Sequence, residues 1–128
     1  MENIERKKFS LKARAKSFVY AFKGIGIFIS TQHNAWIHTF ATILVVIGGF
    51  YFKISIAEWL FVILAIGLVM SAEIFNTAGE FLVDHVSPEY NKQAGIIKDL
   101  LAGGVLICAF TATIIGALIF LPKILDLL

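Results

Sequence analysis

Four residues in one short segment, Glu73, Asn76, Glu80 and Asp84 of EIFNTAGEFLVD, recur at i, i+3, i+7 and i+11. At about 100° per residue on a helix they point at about 0°, 300°, 340° and 20°, one face within an arc of about 80°. Thr77 borders that face at about 40°. The intervening Ile74, Phe75, Phe81, Leu82 and Val83 are apolar, so the segment reads as an apolar helix with an acidic stripe. Carboxylates and an amide oxygen are hard ligands, suited to Mg²⁺ rather than to zinc or copper. Lys98 and Asp99 follow across one short loop. A lysine beside carboxylate-bound Mg²⁺ is a common means of holding phosphates. A lysine there also serves as a snorkelling anchor. There is no Walker A sequence, and KGIG at 23–26 is too short a match to count as a phosphate loop.

The elements that must carry these residues are apolar. Of 128 residues, 59% are hydrophobic and 16% are charged, and mean hydropathy is +0.85. That excludes intrinsic disorder, which needs low hydrophobicity and high charge. It also argues against a soluble single-core domain. The single Cys108 excludes an intramolecular disulfide. A net charge of +2 says little by itself about a nucleic-acid partner, and none is expected.

Three apolar stretches, 35–52, 57–84 and 98–121, are expected to be transmembrane helices. The second reaches that length only by continuing through Glu73 and Glu80. Ionisable groups in a span cost about 2.5–3.5 kcal/mol each. A solvated helix end accommodates Asp84; Glu73 follows an unbroken apolar turn and needs a partner, a water-filled site or a cation. Pro122 is expected to close the last helix. Gly104, Cys108, Ala112 and Gly116, at steps of four, form a ridge of small side chains suited to close helix packing.

Residues 9–30 are expected to form an interfacial amphipathic helix. Leu11, Ala15, Phe18 and Phe22 share one stripe, with Lys12, Lys16 and Lys23 to one side. Residues 1–34 hold seven of the eleven Lys and Arg, so the N-terminus is expected in the cytoplasm, together with the loop 85–97. No apolar run precedes residue 17, and no cleavable signal peptide is expected. Trp36, Tyr51, Phe52 and Trp59 fall near the proposed membrane edges, where such aromatics are favoured.

The segments ExxNTAxExxVD at 73–84, SPEY at 87–90 and AGxxKD at 94–99, followed by small residues, resemble the prokaryotic diacylglycerol kinase family, which includes undecaprenol kinases. The resemblance covers roughly residues 10–121. It implies an all-α membrane protein, one membrane domain over 1–128, assembled as a trimeric helical bundle in the bacterial inner membrane with a cytoplasmic active site shared between subunits. It implies transfer of the γ-phosphoryl of ATP, with Mg²⁺, to a lipid hydroxyl. By position, Glu73 would be the general base, and Asn76 and Glu80 would sit at the metal and phosphates. Lys98 would contact ATP phosphates, and Asp99 would hold the nucleotide or position that lysine. Tyr20 and Tyr90 would line the nucleotide site. Gln32 stands where the family has a metal-binding Glu, and offers a carbonyl oxygen without charge. Asn91 and Trp36 replace a His and an Arg.

Two other functions compete. A small ion-coupled transporter would use Glu73 but leave Asn76, Glu80, Lys98 and Asp99 without roles. A family member with reduced or lost kinase activity is suggested by Gln32.

Overall fold

The computed structural model describes residues 5–128. Helix α1 (Leu11–Thr31) is followed by α2 (His33–Tyr51), α3 (Ile56–Val86) and α4 (Lys92–Leu125), with no strand among the described residues. The last three are long and apolar enough to cross a membrane. At 1.5 Å per residue α3 and α4 are about 46 and about 51 Å long, well beyond a hydrocarbon core of about 30 Å.

Local chemistry sets the helix starts. Ser55 and Glu58 cap α3 reciprocally: Glu58 N–H donates to Ser55 Oγ at 3.2 Å, and Ser55 N–H donates to Glu58 Oε2 at 2.8 Å. Ser10 and Asn91 cap α1 and α4 through Ala13 N–H and Ala94 N–H. Between α2 and α3 the chain reverses through Lys53, whose φ of 51° is left-handed, and Ile54 N–H reaches back to Gly49 C=O.

Helices α3 and α4 form an antiparallel hairpin with an ion pair at each end. Glu58–Lys123 closes one end at 3.0 Å and Asp84–Lys98 the other at 2.5 Å. Between them, the buried face of α3 runs Val62, Ala65, Val69, Glu73 and Thr77, at helical steps. Val62 joins Ile54 and Ile119 in a small core, with Trp59, Ile115 and Phe120 packed around it. Helix α2 lies against α3, and α1 touches both, with Phe28 in its last turn its one buried residue. The expected membrane face of α1 is open: Leu11, Phe18 and Phe22 are all exposed.

Two expectations about α4 need correction. Pro122 does not close α4; the helix runs on to Leu125. A proline this near the end forfeits only the bond to the preceding turn, and Lys123 fastens the terminus to Glu58. Helix α4 also starts at Lys92, six residues before the expected span, because Asn91 caps it there. Within the protomer a Cβ at Gly104 or Gly116 would meet nothing within 4 Å, whereas one at Gly79 of α3 would lie 2.5 Å from Leu101 Cδ1 of α4.

Candidate functional site

The acidic stripe occupies the half of α3 that leads to the Asp84–Lys98 end of the hairpin. Glu73 is its most enclosed member, 2% exposed, in register with the apolar stripe of Val62, Ala65 and Val69. The cost of burying it is offset by one partner: His38 of α2 places Nε2 2.8 Å from Glu73 Oε1. With Glu73 ionised the carboxylate can only accept, and the imidazole donates from Nε2. The spacing within α3 did not reveal His38. It sits 35 residues away, and the one available signal was a titratable residue within the first span.

One turn further on, Asn76 Nδ2 donates to Glu80 Oε1 at 3.3 Å. Asn76 Oδ1 is buried without a hydrogen-bond partner. A buried, unpartnered amide oxygen beside a carboxylate is an incomplete set of hard oxygens, and suits Mg²⁺. Among the described residues no group of three or more His, Cys, Asp or Glu gathers into a metal site. Any such cation would draw its remaining ligands from outside this pair, from water, phosphate oxygens or a side chain on another element.

Lys98 pairs with Asp84 rather than with Asp99. Neighbouring helical positions diverge by about 100°, so Asp99 leaves the α3-facing side. It lines a shallow depression on α4 with Leu100, Gly103 and Ile107. The stripe, Lys98 and His38 therefore form one polar surface, and Asp99 lies off it within the protomer.

The remaining expected residues lie apart. Gln32 is the elbow between α1 and α2, and its amide donates to Thr31 Oγ1 at 3.1 Å. No hydrogen bond joins it to Asn76 or Glu80. Trp36 folds back so that its indole N–H donates to Ile29 C=O at 2.6 Å, which sets the angle of that elbow. Tyr20 is exposed on α1, its ring 6.0 Å from Lys23 Nζ. Tyr90 is exposed on the α3–α4 loop, its ring over Gly95. Asn91 also donates to Ser87 Oγ at 2.5 Å, so its side chain is committed to loop and cap.

A groove of about 560 Å³ runs between α2, α3 and α4, walled by Val45, Val69, Ala112 and Phe120 among others, with His38 on its polar side. Fold and site together define a helical membrane protein whose acidic, lysine-flanked face stands beside an apolar groove. Residues 19–120 match the prokaryotic diacylglycerol kinase family. The chain is 42% identical over 109 residues to an undecaprenol kinase of Bacillus subtilis, covering 85% of this chain and 89% of that protein. It is 37% identical over 113 residues to a diacylglycerol kinase of Synechocystis sp., covering 88% of this chain and 65% of that longer protein. The chain belongs to the prokaryotic diacylglycerol kinase family and is a membrane lipid kinase. Membership in a kinase family implies ATP as co-substrate.

Proposed function

We propose that this protein transfers the γ-phosphoryl group of ATP to the terminal hydroxyl of a long polyprenol, of the undecaprenol type, at the cytoplasmic face of a bacterial inner membrane. The observation that carries this is the buried Glu73 carboxylate, bonded to His38, which itself lines a mostly apolar groove. A chain without a bulky headgroup can lie in such a groove and bring only a hydroxyl to the carboxylate. The 42%-identical undecaprenol kinase supports that choice of lipid over diacylglycerol.

In the reaction, Glu73 accepts the hydroxyl proton as the lipid oxygen bonds to the γ-phosphorus and the bond to the ADP oxygen breaks. Such transfer relies mostly on positioning and charge. Glu80, Asn76 Oδ1 and, from the elbow, Gln32 would hold Mg²⁺, which when bound neutralises phosphate charge. Lys98 would exchange Asp84 for a phosphate, which its exposed position allows. Tyr20, Tyr90 and Asp99 would border the nucleotide. Asp99 faces away from Lys98, and Gly104 beside it leaves room for another helix. Both features favour a homotrimer in which a neighbouring subunit completes each site. The cluster of Lys and Arg in residues 1–34 favours a cytoplasmic N-terminus. The excess length of α3 and α4 would then carry Glu80, Asp84 and Lys98 toward the water where ATP is found.

The test is a competition in bilayers containing equal undecaprenol and diacylglycerol, with labelled ATP. Label mainly in undecaprenyl phosphate is expected. Label mainly in phosphatidic acid would overturn the choice of lipid.

A further inference from the structure

We propose that His38 is a positioning residue for phosphoryl transfer, holding one oxygen of Glu73 so that the other is presented to the lipid hydroxyl. The inference rests on Glu73 being the base. Glu73 Oε1 receives His38 Nε2 at 2.8 Å, and no hydrogen bond from the described residues reaches Oε2. A buried carboxylate with one partner and one free oxygen has two non-equivalent oxygens. The occupied one fixes the rotamer; the free one is the better base.

The placement of His38 agrees with this task. Its backbone is in α2, not α3, so the bond couples the aim of Glu73 to the α2–α3 spacing that also forms the groove. Its side chain is about three-quarters buried and that of Glu73 almost wholly so, so water competes poorly for the bond. Thr42 Oγ1 donates to the His38 carbonyl at 2.7 Å, an added tie within that turn. When the hydroxyl proton moves to Oε2, the lipid O–H bond is exchanged for the new O–P bond, and His38 keeps its own proton throughout. Its contribution is geometric, which separates it from a second base.

A bond that only made burial of Glu73 tolerable would affect folding and leave turnover in the folded protein unchanged. A bond that aims the base would lower kcat and leave the KM for ATP alone. Misplacing a reacting group by about 1 Å costs about 10²-fold in rate. His38→Leu is therefore expected to lower kcat about 10²-fold with the KM for ATP unchanged. His38→Gln can set its amide nitrogen near the place of Nε2 and should recover most of the loss. His38→Asn is too short and should not. Adding His38→Leu to Glu73→Gln should cost nothing further.

The variants are purified in detergent, checked for helical content, returned to bilayers and measured with saturating lipid. If Glu73→Gln is inactive while His38→Leu keeps kcat within about threefold, the positioning role is wrong and the base assignment stands. If Glu73→Gln itself keeps more than about a tenth of the rate, the base assignment has failed. Should His38→Leu not fold, the Gln and Asn variants decide, and equal kcat in those two would overturn the proposal.

Discussion

Gly79 lies between Asn76 and Glu80 on α3 and sets how closely α4 approaches the acidic stripe. A methyl carbon there would fall 2.5 and 2.8 Å from the two Cδ atoms of Leu101 and 3.2 Å from its Cγ. All three must retreat, and a helical leucine has only two good χ1 wells to retreat into. Overpacking of this kind costs about 1–3 kcal/mol. Glycine to alanine within a helix returns about 0.5–1 kcal/mol. Gly79→Ala should thus destabilise by a net of about 0–2.5 kcal/mol. Lys98 is one turn from Leu101 and pairs with Asp84, so widening this contact should lower activity as well. Reversible unfolding in mixed micelles measures the first effect and lipid phosphorylation the second. Adding Leu101→Ala removes the clashing atoms, and the double mutant should be more stable than the sum of its parts by about 1 kcal/mol. A Gly79→Ala protein that is more stable than wild type, as helix propensity alone would make it, refutes the close-approach argument.

Other substitutions probe the chemistry. Glu73→Gln should lower phosphoryl transfer by about 10²–10⁴-fold while preserving the fold, since glutamine keeps the shape and removes the base; steady-state rates beside circular dichroism check this. Glu80→Ala should raise the Mg²⁺ concentration needed for half-maximal rate, and an unchanged Mg²⁺ titration would remove Glu80 from the metal site. Gln32→Glu should raise activity or lower the Mg²⁺ requirement without altering lipid preference, because a carboxylate binds a hard cation better than an amide. Overlapping titrations would instead leave Gln32 as the elbow residue that its bond to Thr31 already makes it.

The helices and the acidic stripe were legible because each depends on local periodicity. Apolar length marked the spans, and the spacing of Glu73, Asn76, Glu80 and Asp84 marked one face. What faces that stripe depends on α2 and α4, so His38 opposite Glu73 and Asp84 opposite Lys98 were not legible. The divergence of Asp99 from Lys98 could have been read, since adjacent helical residues differ by about 100°. Pro122 misled because proline is costly in a helix interior and cheap near an end already fastened by an ion pair. Asn91 and Trp36 looked like altered ligand positions. The structure gives both local tasks, one capping α4 and the other folding α2 back on α1.

The account rests on one claim, that ATP is consumed by a lipid hydroxyl. Release of ADP from Mg-ATP, measured in bilayers with and without added lipid alcohol, tests it most directly. The predicted result is a rate near background without the alcohol, rising in proportion to it until saturation, with one phosphorylated lipid formed per ADP. ADP release that ignores the alcohol, or no release together with cation flux through the same bilayers, would contradict it.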